Sequence, residues 1–399
     1  MRSRGRLRDG IAFEQRPGQE ADGQRRVSGH GVNCKQVDRP YNREVRASIK
    51  VGTVIAALVC AIAPVSPSFI ERWYSTGVYP RIQHVLTPIS NVIPFALFDV
   101  LTIAAVVLVI GSIVRAVRRA RQTRRLSILL TTLGNIVCGA AVAYLVFLFV
   151  WGFNYRRMSM AERLVLDDGR PTADAARGLG QQAVQELNAL YEAAHAKGDT
   201  PPWRDEAMRG AFKRAQRFLT DAPPAIPGRL KATIYGLYFR WTSVDGMVDP
   251  FALEVMTNPD LLPVERPFVA AHEWAHLAGY ADESEANFVG WLTCVQGDAR
   301  SKYSGWLFLY WQLSGEVSGA DRRLLASMLE SGPRRDIDDI SERLRRGRWP
   351  LLQRSSWQVY DQYLKANRVE AGVRSYGLVV TLILRAQFDE EWKPRVRER

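Results

Sequence analysis

Residues His272–His276 read H-E-W-A-H and carry the side chains of this sequence best suited to chemistry. Histidines four positions apart on an α-helix project from one face and can bind the same metal ion. Glu273 projects about 100° around the helix from His272, where it can reach a water on the metal rather than the metal itself. Only five histidines occur in the chain, so finding two of them here favours a site over chance. The motif predicts a Zn²⁺ hydrolase site with His272 and His276 as ligands.

A catalytic zinc ion usually has three protein ligands and one position for water. The other histidines are far away in sequence, so we expect the third ligand to be a carboxylate from the string D-E-S-E that follows the motif. This string has the spacing of a helix capping box, in which Asp282 is the N-cap and Glu285 reaches back to it. Glu283 has no such structural role and is the predicted ligand, with Glu285 second. Asp282 is the alternative if the pattern continues as H-E-x-x-H-x-x-G-x-x-D.

The predicted reaction is hydrolysis of a peptide bond. Glu273 is the general base, which takes a proton from the zinc-bound water as that water attacks the carbonyl and passes it to the leaving amine. Asn287 shares a helix face with Glu283 and is expected to orient its carboxylate. The residue that stabilises the oxyanion is left open by the sequence, and the candidates are Tyr235, Tyr238, Arg240 and Tyr280.

Helices must position these side chains. Pro267 suits the first turn of a helix that carries the motif, and Gly279 suits its end. Amphipathic spacing predicts two further helices, at Ala173–His195 and Asp205–Leu219. The segment Leu230–Thr242 is rich in β-branched and aromatic residues, which predicts a strand along which an extended peptide substrate could pair.

Three apolar segments predict transmembrane helices at about residues 51–70, 92–114 and 127–152. A spanning helix needs about 20 apolar residues. The first and third segments contain no charged residue, and the second contains only Asp99. A carboxylate inside a membrane is a functional candidate, but we expect Asp99 near the outer interface, where its cost is small.

The excess of positive charge lies in the N-terminal part of the chain. Residues 1–155 hold 20 Lys/Arg against 8 Asp/Glu, whereas residues 156–399 hold 34 against 33. Basic residues beside membrane segments stay on the cytoplasmic side. The N-terminal tail and the loop at residues 115–125, with six arginines, are therefore expected inside, and residues 156–399 outside, the bacterial cytoplasmic membrane. Trp151, Phe153 and Tyr155 are expected to form an aromatic belt where the third segment leaves the membrane.

The sequence thus predicts a mainly α, multi-pass membrane protein in three parts. Residues 1–48 read as a disordered basic cytoplasmic tail, residues 49–155 as three transmembrane helices, and residues 156–399 as a mostly helical (α+β), zincin-like extracytoplasmic domain. The four cysteines show no paired spacing, so no disulfide framework or cysteine-ligated zinc is predicted. The expected partners are the lipid bilayer and a peptide or protein substrate; no motif for nucleic acid is present, and the oligomeric state is left open.

The motifs also carry two resemblances. The string E-S-E-A-N-F at residues 283–288 resembles the E-x-x-A-N/D helix of gluzincin-type metallopeptidases, such as the membrane-bound prenyl-protein proteases. The first Glu of that helix binds zinc, which implies this role for Glu283.

The wider pattern resembles a bacterial membrane-protein family catalogued as domain of unknown function 3810. The matching strings lie within about residues 50–385 and are W-G-F-N-Y at 151–155, P-F-A-L-E-V-M-T-N at 250–258, A-H-E-W-A-H-L-A-G-Y-A-D-E-S-E-A-N-F at 271–288, Y-S-G-W at 303–306 and V-E-A-G-V-R-S-Y-G-L-V-V at 369–380. The resemblance implies a multi-pass membrane protein with an H-E-x-x-H domain, but no substrate. Glu254 and Asn258 fall in a matching string and are expected either to line the site or to serve in a turn or in packing.

The leading hypothesis is a membrane-anchored zinc metallopeptidase. The alternative is a non-catalytic membrane sensor or scaffold with a structural metal site, which Glu273 disfavours because a structural site has no use for a base. A third hypothesis reverses the topology and places residues 156–399 in the cytoplasm.

Overall fold

The computed structural model describes residues 34–196, 198, 200–369, 372 and 378–397, with side chains from residue 44 onwards. The chain divides into two compact units, Met1–Ile49 and Lys50–Arg399. Residues 1–33 of the predicted tail lie outside the described residues. Its remaining residues, 34–48, are helical and form the start of the first helix.

The N-terminal part is built from helices and short connections. In chain order these are α1 (Cys34–Ile62), α2 (Pro67–Phe69), a π-helical segment (Ile70–Val78), α3 (Tyr79–Val92), α4 (Leu97–Thr123) and α5 (Ser127–Val150).

Three of these helices are long and apolar enough to cross a membrane, namely Glu44–Ile62 within α1, then α4 and α5. The first apolar helix ends at Ile62, eight residues before its predicted end, because Pro64 and Pro67 lack the N–H that a continuing helix needs. The second begins at Leu97, after Pro94, and runs on to Thr123. The three predicted apolar helices are therefore present, with shifted ends.

The described residues after α5 are mostly helical and include one small sheet. Their elements are a 3₁₀ turn (Gly152–Arg156), α6 (Met160–Arg163), α7 (Ala173–His195), a 3₁₀ turn (Pro202–Arg204), α8 (Glu206–Leu219), β1 (Leu230–Lys231), α9 (Gly236–Thr242), β2 (Gly246–Asp249), β3 (Glu254–Thr257), α10 (Arg266–Leu277), α11 (Glu283–Val295), α12 (Ala299–Glu316), α13 (Gly319–Met328), α14 (Ser331–Gly347), α15 (Pro350–Ala366) and α16 (Leu378–Arg385). The two amphipathic helices predicted before the sheet are confirmed as α7 and α8.

The core of this part surrounds α10 and α11. Both helices are buried along nearly their whole length, and the fully buried side chains include Trp274 of α10, Trp291 of α11 and Trp306 of α12. Large aromatic side chains dominate core energetics because each removes much apolar area from water. A helix enclosed on all sides is held rigidly, which suits it to position reactive side chains.

The three-stranded sheet has the order β1-β3-β2, in which β1 runs parallel and β2 antiparallel to β3. The predicted strand at Leu230–Thr242 is wrong for most of its length, since only Leu230 and Lys231 are extended and α9 follows. Ile234, Leu237, Tyr238 and Trp241 repeat at helical spacing, and the segment folds as a helix despite its content of β-branched and aromatic residues. The strand beside the motif helix is β2 instead.

The start of α4 is bonded to the segment before α9. Asp99, in the first turn of α4, accepts hydrogen bonds from the Thr233 hydroxyl at 2.6 Å and from the Ile234 amide at 3.0 Å. Phe98 donates its amide to Glu254 on β3 at 2.8 Å. Asp99 therefore lies at one end of its helix and serves as an anchor.

The end of α5 is bonded to the motif helix, because the Trp151 indole donates to the His276 carbonyl at 2.9 Å. Trp151 is 6% exposed and Tyr155 packs edge-on against it at 5.1 Å. The predicted aromatic belt is thus wrong for Trp151, because the chain turns back at once and packs this ring on α10.

Candidate metal centre

Helix α10 carries the H-E-W-A-H motif in the middle of the core. It begins at Arg266 with Pro267 in its first turn, and Gly279 ends the segment with a φ of +83° that favours glycine. Both features match the sequence prediction. The rings of His272 and His276 lie side by side on one face, with centroids 4.8 Å apart.

Glu283 reaches the same place from α11. Asp282 caps this helix by accepting from the Ser284 and Glu285 amides, so Glu283 occupies the first helical position as predicted. The two helices come close because Gly290 of α11 faces the backbone of His272, where an added Cβ would lie 3.1 Å from the amide nitrogen. The glycine lets the helices approach and thereby brings the carboxylate to the histidines.

The three ligand atoms converge. Glu283 Oε2 lies 3.4 Å from His272 Nε2 and 3.5 Å from His276 Nε2, and all three residues are nearly buried. Ligands of a tetrahedral zinc ion stand about 3.3 Å apart, given zinc–ligand distances near 2.0–2.1 Å. Glu283 Oε2 makes no hydrogen bond to any described residue. A buried carboxylate oxygen without a hydrogen bond, facing two imidazoles at this separation, fits a divalent cation.

A hydrogen bond fixes the tautomer of one of the two histidines in the form that can bind a metal through Nε2. His276 Nδ1 lies 2.7 Å from the Tyr280 carbonyl, and a carbonyl can only accept, so Nδ1 carries the hydrogen and Nε2 is turned toward Glu283. Such a partner fixes the orientation of a metal-binding imidazole. His272 Nδ1 has no hydrogen-bond partner among the described residues.

Charges within the cluster favour a bound cation. Burial alone would lower the pKa of His276, but Glu283 and Glu273 outweigh it and raise that pKa to about 9. Burial would raise the pKa of Glu283, yet the two histidines hold it well below its usual range. Ion binding requires deprotonated ligands, so a divalent cation here would take the place of the proton on His276 and balance the charge of Glu283.

Glu273 stands beside the ligands without joining them. It is 3% exposed, and its Oε2 has no hydrogen-bond partner among the described residues. Gly246 of β2 faces its carboxylate so closely that any Cβ there would collide with it. Burial raises the pKa of Glu273 to about 6, although His272 and His276 act in the opposite direction. A carboxylate with a pKa near neutrality suits proton transfer at physiological pH.

Tyr360 is the functional candidate that the sequence prediction missed. Its hydroxyl donates to Glu283 Oε1, the carboxylate oxygen that does not face the histidines. The residue lies on α15, 77 positions after Glu283, and no local pattern marks it. The predicted partner, Asn287, makes no such bond, since its Nδ2 has no hydrogen-bond partner among the described residues.

Two cavities meet at the motif. One, of about 380 Å³, has a mainly apolar and aromatic wall that includes Trp151, Tyr155, Trp357 and Tyr363. The other cavity, of about 400 Å³, is lined by residues that include Asn287 and Arg343. His272 and Glu273 line both cavities, whereas His276 and Glu283 line only the first. The cluster is therefore reachable by a ligand larger than water.

The other carboxylates of the D-E-S-E string have structural roles. Asp282 is the N-cap, as predicted. Glu285 does not complete the capping box, because its carboxylate accepts from the Met160 amide instead. The alternatives Asp282 and Glu285 therefore point away from the cluster that Glu283 joins with the two histidines.

Among the four oxyanion candidates, only Tyr238 lines the cavities that reach the cluster. Arg240 pairs with Asp260, and Tyr280 stacks against Arg157 at 4.6 Å. Tyr235 packs on Phe98.

The two residues from the matching string at 250–258 lie outside these cavities. Glu254 is fully buried and pairs with Lys231, and Asn258 bonds the Val244 carbonyl and the Asp260 amide. Of the two expected roles, the structure supports turn formation and packing.

The family model described as Protein of unknown function (DUF3810) matches residues 74–384, which is most of the chain and includes the whole cluster. No curated protein and no solved structure matches the chain.

Proposed function

The chain belongs to the DUF3810 family, and we propose that this member is a membrane-anchored zinc-dependent metallopeptidase. The observation that carries the proposal is the convergence of His272, His276 and Glu283 at distances that fit a tetrahedral ion, with Glu273 buried beside them. The zincin-like arrangement of the domain is part of the same proposal.

Zinc, when bound, would supply a Lewis acid and would lower the pKa of a bound water toward neutrality. His272, His276 and Glu283 would hold it, and Tyr360 would orient the carboxylate of Glu283. Among the described residues the ligand cluster has three members. A three-ligand cluster beside a cavity supports catalysis over the scaffold alternative, which calls for a closed site with four protein ligands.

Glu273 would act as the general base and then as the acid that protonates the leaving amine. Its position at the junction of the two cavities lets it meet a substrate that extends into either of them. Within the described sheet β2 is an edge strand, and its residues Gly246, Met247 and Val248 line the first cavity. An extended peptide that pairs with this edge would lie beside Glu273.

The proposed location is the outer face of the cytoplasmic membrane. The start of α4 and the end of α5 are both bonded near the cluster. Four of the six arginines predicted to lie in a loop lie instead in the last turns of α4, and the other two form the turn to α5. This arginine-rich end is therefore at the opposite ends of the two helices. Helix α4 has 27 residues and is about 40 Å long at 1.5 Å per residue. If these helices span the bilayer, the arginine-rich end and the cluster lie on opposite sides, and the positively charged end belongs inside.

The test compares the full chain with its Glu273→Gln variant, each purified in nanodiscs and loaded with zinc, against a mixed peptide library. We expect the wild type to cleave peptides and the variant to be slower by about 10²–10⁴-fold, the usual contribution of a general base. Zinc content, measured by elemental analysis, should be equal in both. Equal cleavage by the two proteins would contradict the proposal. Absence of cleavage by both zinc-loaded proteins would also contradict it and would favour the scaffold alternative.

A further inference from the structure

Helix α9 exposes an apolar face. The exposed fractions are 60% for Ile234, 54% for Leu237, 38% for Tyr238 and 36% for Trp241. These residues are spaced three, four and seven positions from the first, which puts them on one side of the helix and the turn before it. Exposed aliphatic residues are common singly, but a continuous stripe of them marks an interaction surface.

Trp349, the residue just before helix α15, extends this apolar face. It is 50% exposed and packs edge-on against Trp241 with ring centroids 5.7 Å apart. Its amide donates to the Trp241 carbonyl at 3.0 Å, which fixes the two residues relative to each other. We call the surface formed by Ile234, Leu237, Tyr238, Trp241 and Trp349 the apolar stripe.

The apolar stripe begins where a candidate membrane span begins. Asp99, in the first turn of α4, holds the Thr233 hydroxyl and the Ile234 amide through its two carboxylate oxygens. On α4 itself the neighbouring apolar side chains face outward, with Val100 50% exposed and Phe95, just before the helix, 55% exposed. The stripe is thus continuous with the outer surface of the span.

The composition of the apolar stripe and the length of α9 fit lipid as the partner. Tryptophan and tyrosine concentrate at membrane–water interfaces, where their rings contact acyl chains and their polar atoms contact headgroups. With seven residues α9 is far too short to cross a bilayer. A short helix with one apolar face lies in the interface plane.

We propose that the apolar stripe docks into the outer leaflet of the bilayer that α4 enters. The proposal rests on the membrane insertion proposed above and is independent of catalysis. Tyr238 belongs to the stripe and also lines the 380 Å³ cavity, together with Phe98 of α4. Docking would therefore open this cavity at the membrane surface, and under the proposed peptidase function its substrates would be polypeptides held at that surface.

Lipid photolabelling of the unmodified full chain tests the docking. The protein is reconstituted into phosphatidylcholine vesicles that contain a phospholipid with a diazirine near its headgroup, irradiated, and digested with trypsin. Cleavage after Lys231 and Arg240 isolates residues 232–240, which hold three residues of the stripe. The peptide of residues 82–115 reports the span in α4, and the peptide of residues 178–197 reports α7, whose exposed face carries Gln185 and Glu192.

We expect residues 232–240 to carry at least about fivefold more label than residues 178–197, because an interfacial helix buries its apolar face at the headgroup boundary. The double variant Ile234→Gln, Leu237→Gln should lose most of that label while residues 82–115 keep theirs. Label on residues 82–115 without label on residues 232–240 would overturn the docking. A protein would then be the remaining candidate partner of the apolar stripe. Label on none of the three peptides would overturn membrane insertion as well.

Discussion

His272, His276 and Glu283 bring their ligand atoms to one point within a buried part of the molecule. Two of the three come from one helix, so their spacing follows from helix geometry alone. The third depends on contacts that fix its side chain. Tyr360 provides one by donating to Glu283 Oε1, which leaves Oε2 to face the histidines.

Replacing Tyr360 by Phe should weaken zinc binding without unfolding the protein. The substitution removes only the hydroxyl that orients Glu283, and such partners of metal ligands contribute about 10–100-fold to affinity. Competition with a chromophoric chelator measures the change.

Tyr363→Phe is the matched control for this experiment. Tyr363 lies on the same helix and lines the same cavity, but its hydroxyl bonds Tyr155, at 3.5 Å, rather than Glu283. An equal loss of zinc affinity in both variants would show that the Tyr360 hydroxyl has no specific role.

Helices α10 and α11 form the element on which the cluster depends. They are joined by a short connection with Gly279 in the left-handed region, and they pack closely where Gly290 faces the backbone of His272. The cap at Asp282 then sets where α11 starts, and Glu283 follows it directly. The distance from Glu283 to the histidines is therefore a property of this helix pair.

Replacing Gly290 by Ala should push the two helices apart. The added methyl would lie 3.1–3.2 Å from backbone atoms of His272, which cannot rotate away as a side chain would. Overpacking of this kind costs about 1–3 kcal/mol of stability. We expect a lower Tm and weaker zinc binding, measured by thermal unfolding and chelator competition.

Gly178→Ala on α7 serves as the control, because no atom lies within 4 Å of a Cβ added there. This variant should keep its zinc affinity and gain slightly in stability, since alanine favours helix more than glycine. Unchanged zinc binding in Gly290→Ala would refute the role of the close helix contact.

At the scale of the whole molecule, hydrogen bonds join the ends of the apolar helices to the part of the chain that holds the cluster. Arg156 binds the carbonyl oxygens of Cys60 and Ala61 at the end of α1, as Trp151 binds His276 at the end of α5. These ends, and the start of α4, contact the part of the chain that follows residue 151, whereas the arginine-rich end lies at the far ends of α4 and α5.

A topology assay should find the arginine-rich end and the C-terminus on opposite sides of the membrane. A reporter enzyme that folds only outside the cytoplasm should be active when fused to the C-terminus and inactive when fused after residue 123. Fusions of a cytoplasm-only fluorescent protein at the same two positions should give the complementary pattern. The reverse pattern would place the cluster in the cytoplasm. It would also show that this chain does not follow the positive-inside rule.

The sequence alone determined the features that depend on local spacing. The two histidines and Glu273 follow from helical periodicity, the position of Glu283 follows from the cap at Asp282, and the three apolar helices follow from long uncharged runs. Each of these features concerns residues within a few turns of one another, where covalent geometry fixes relative positions.

Only the tertiary structure decided the rest. The bond from Tyr360 to Glu283, the clearance that Gly246 gives Glu273 and the burial of Trp151 all join residues far apart in the chain. The same holds for α9, whose composition favours a strand but which folds as a helix beside Asp99. Such contacts depend on how separate helices pack, and packing is a property of the whole chain that no local pattern encodes.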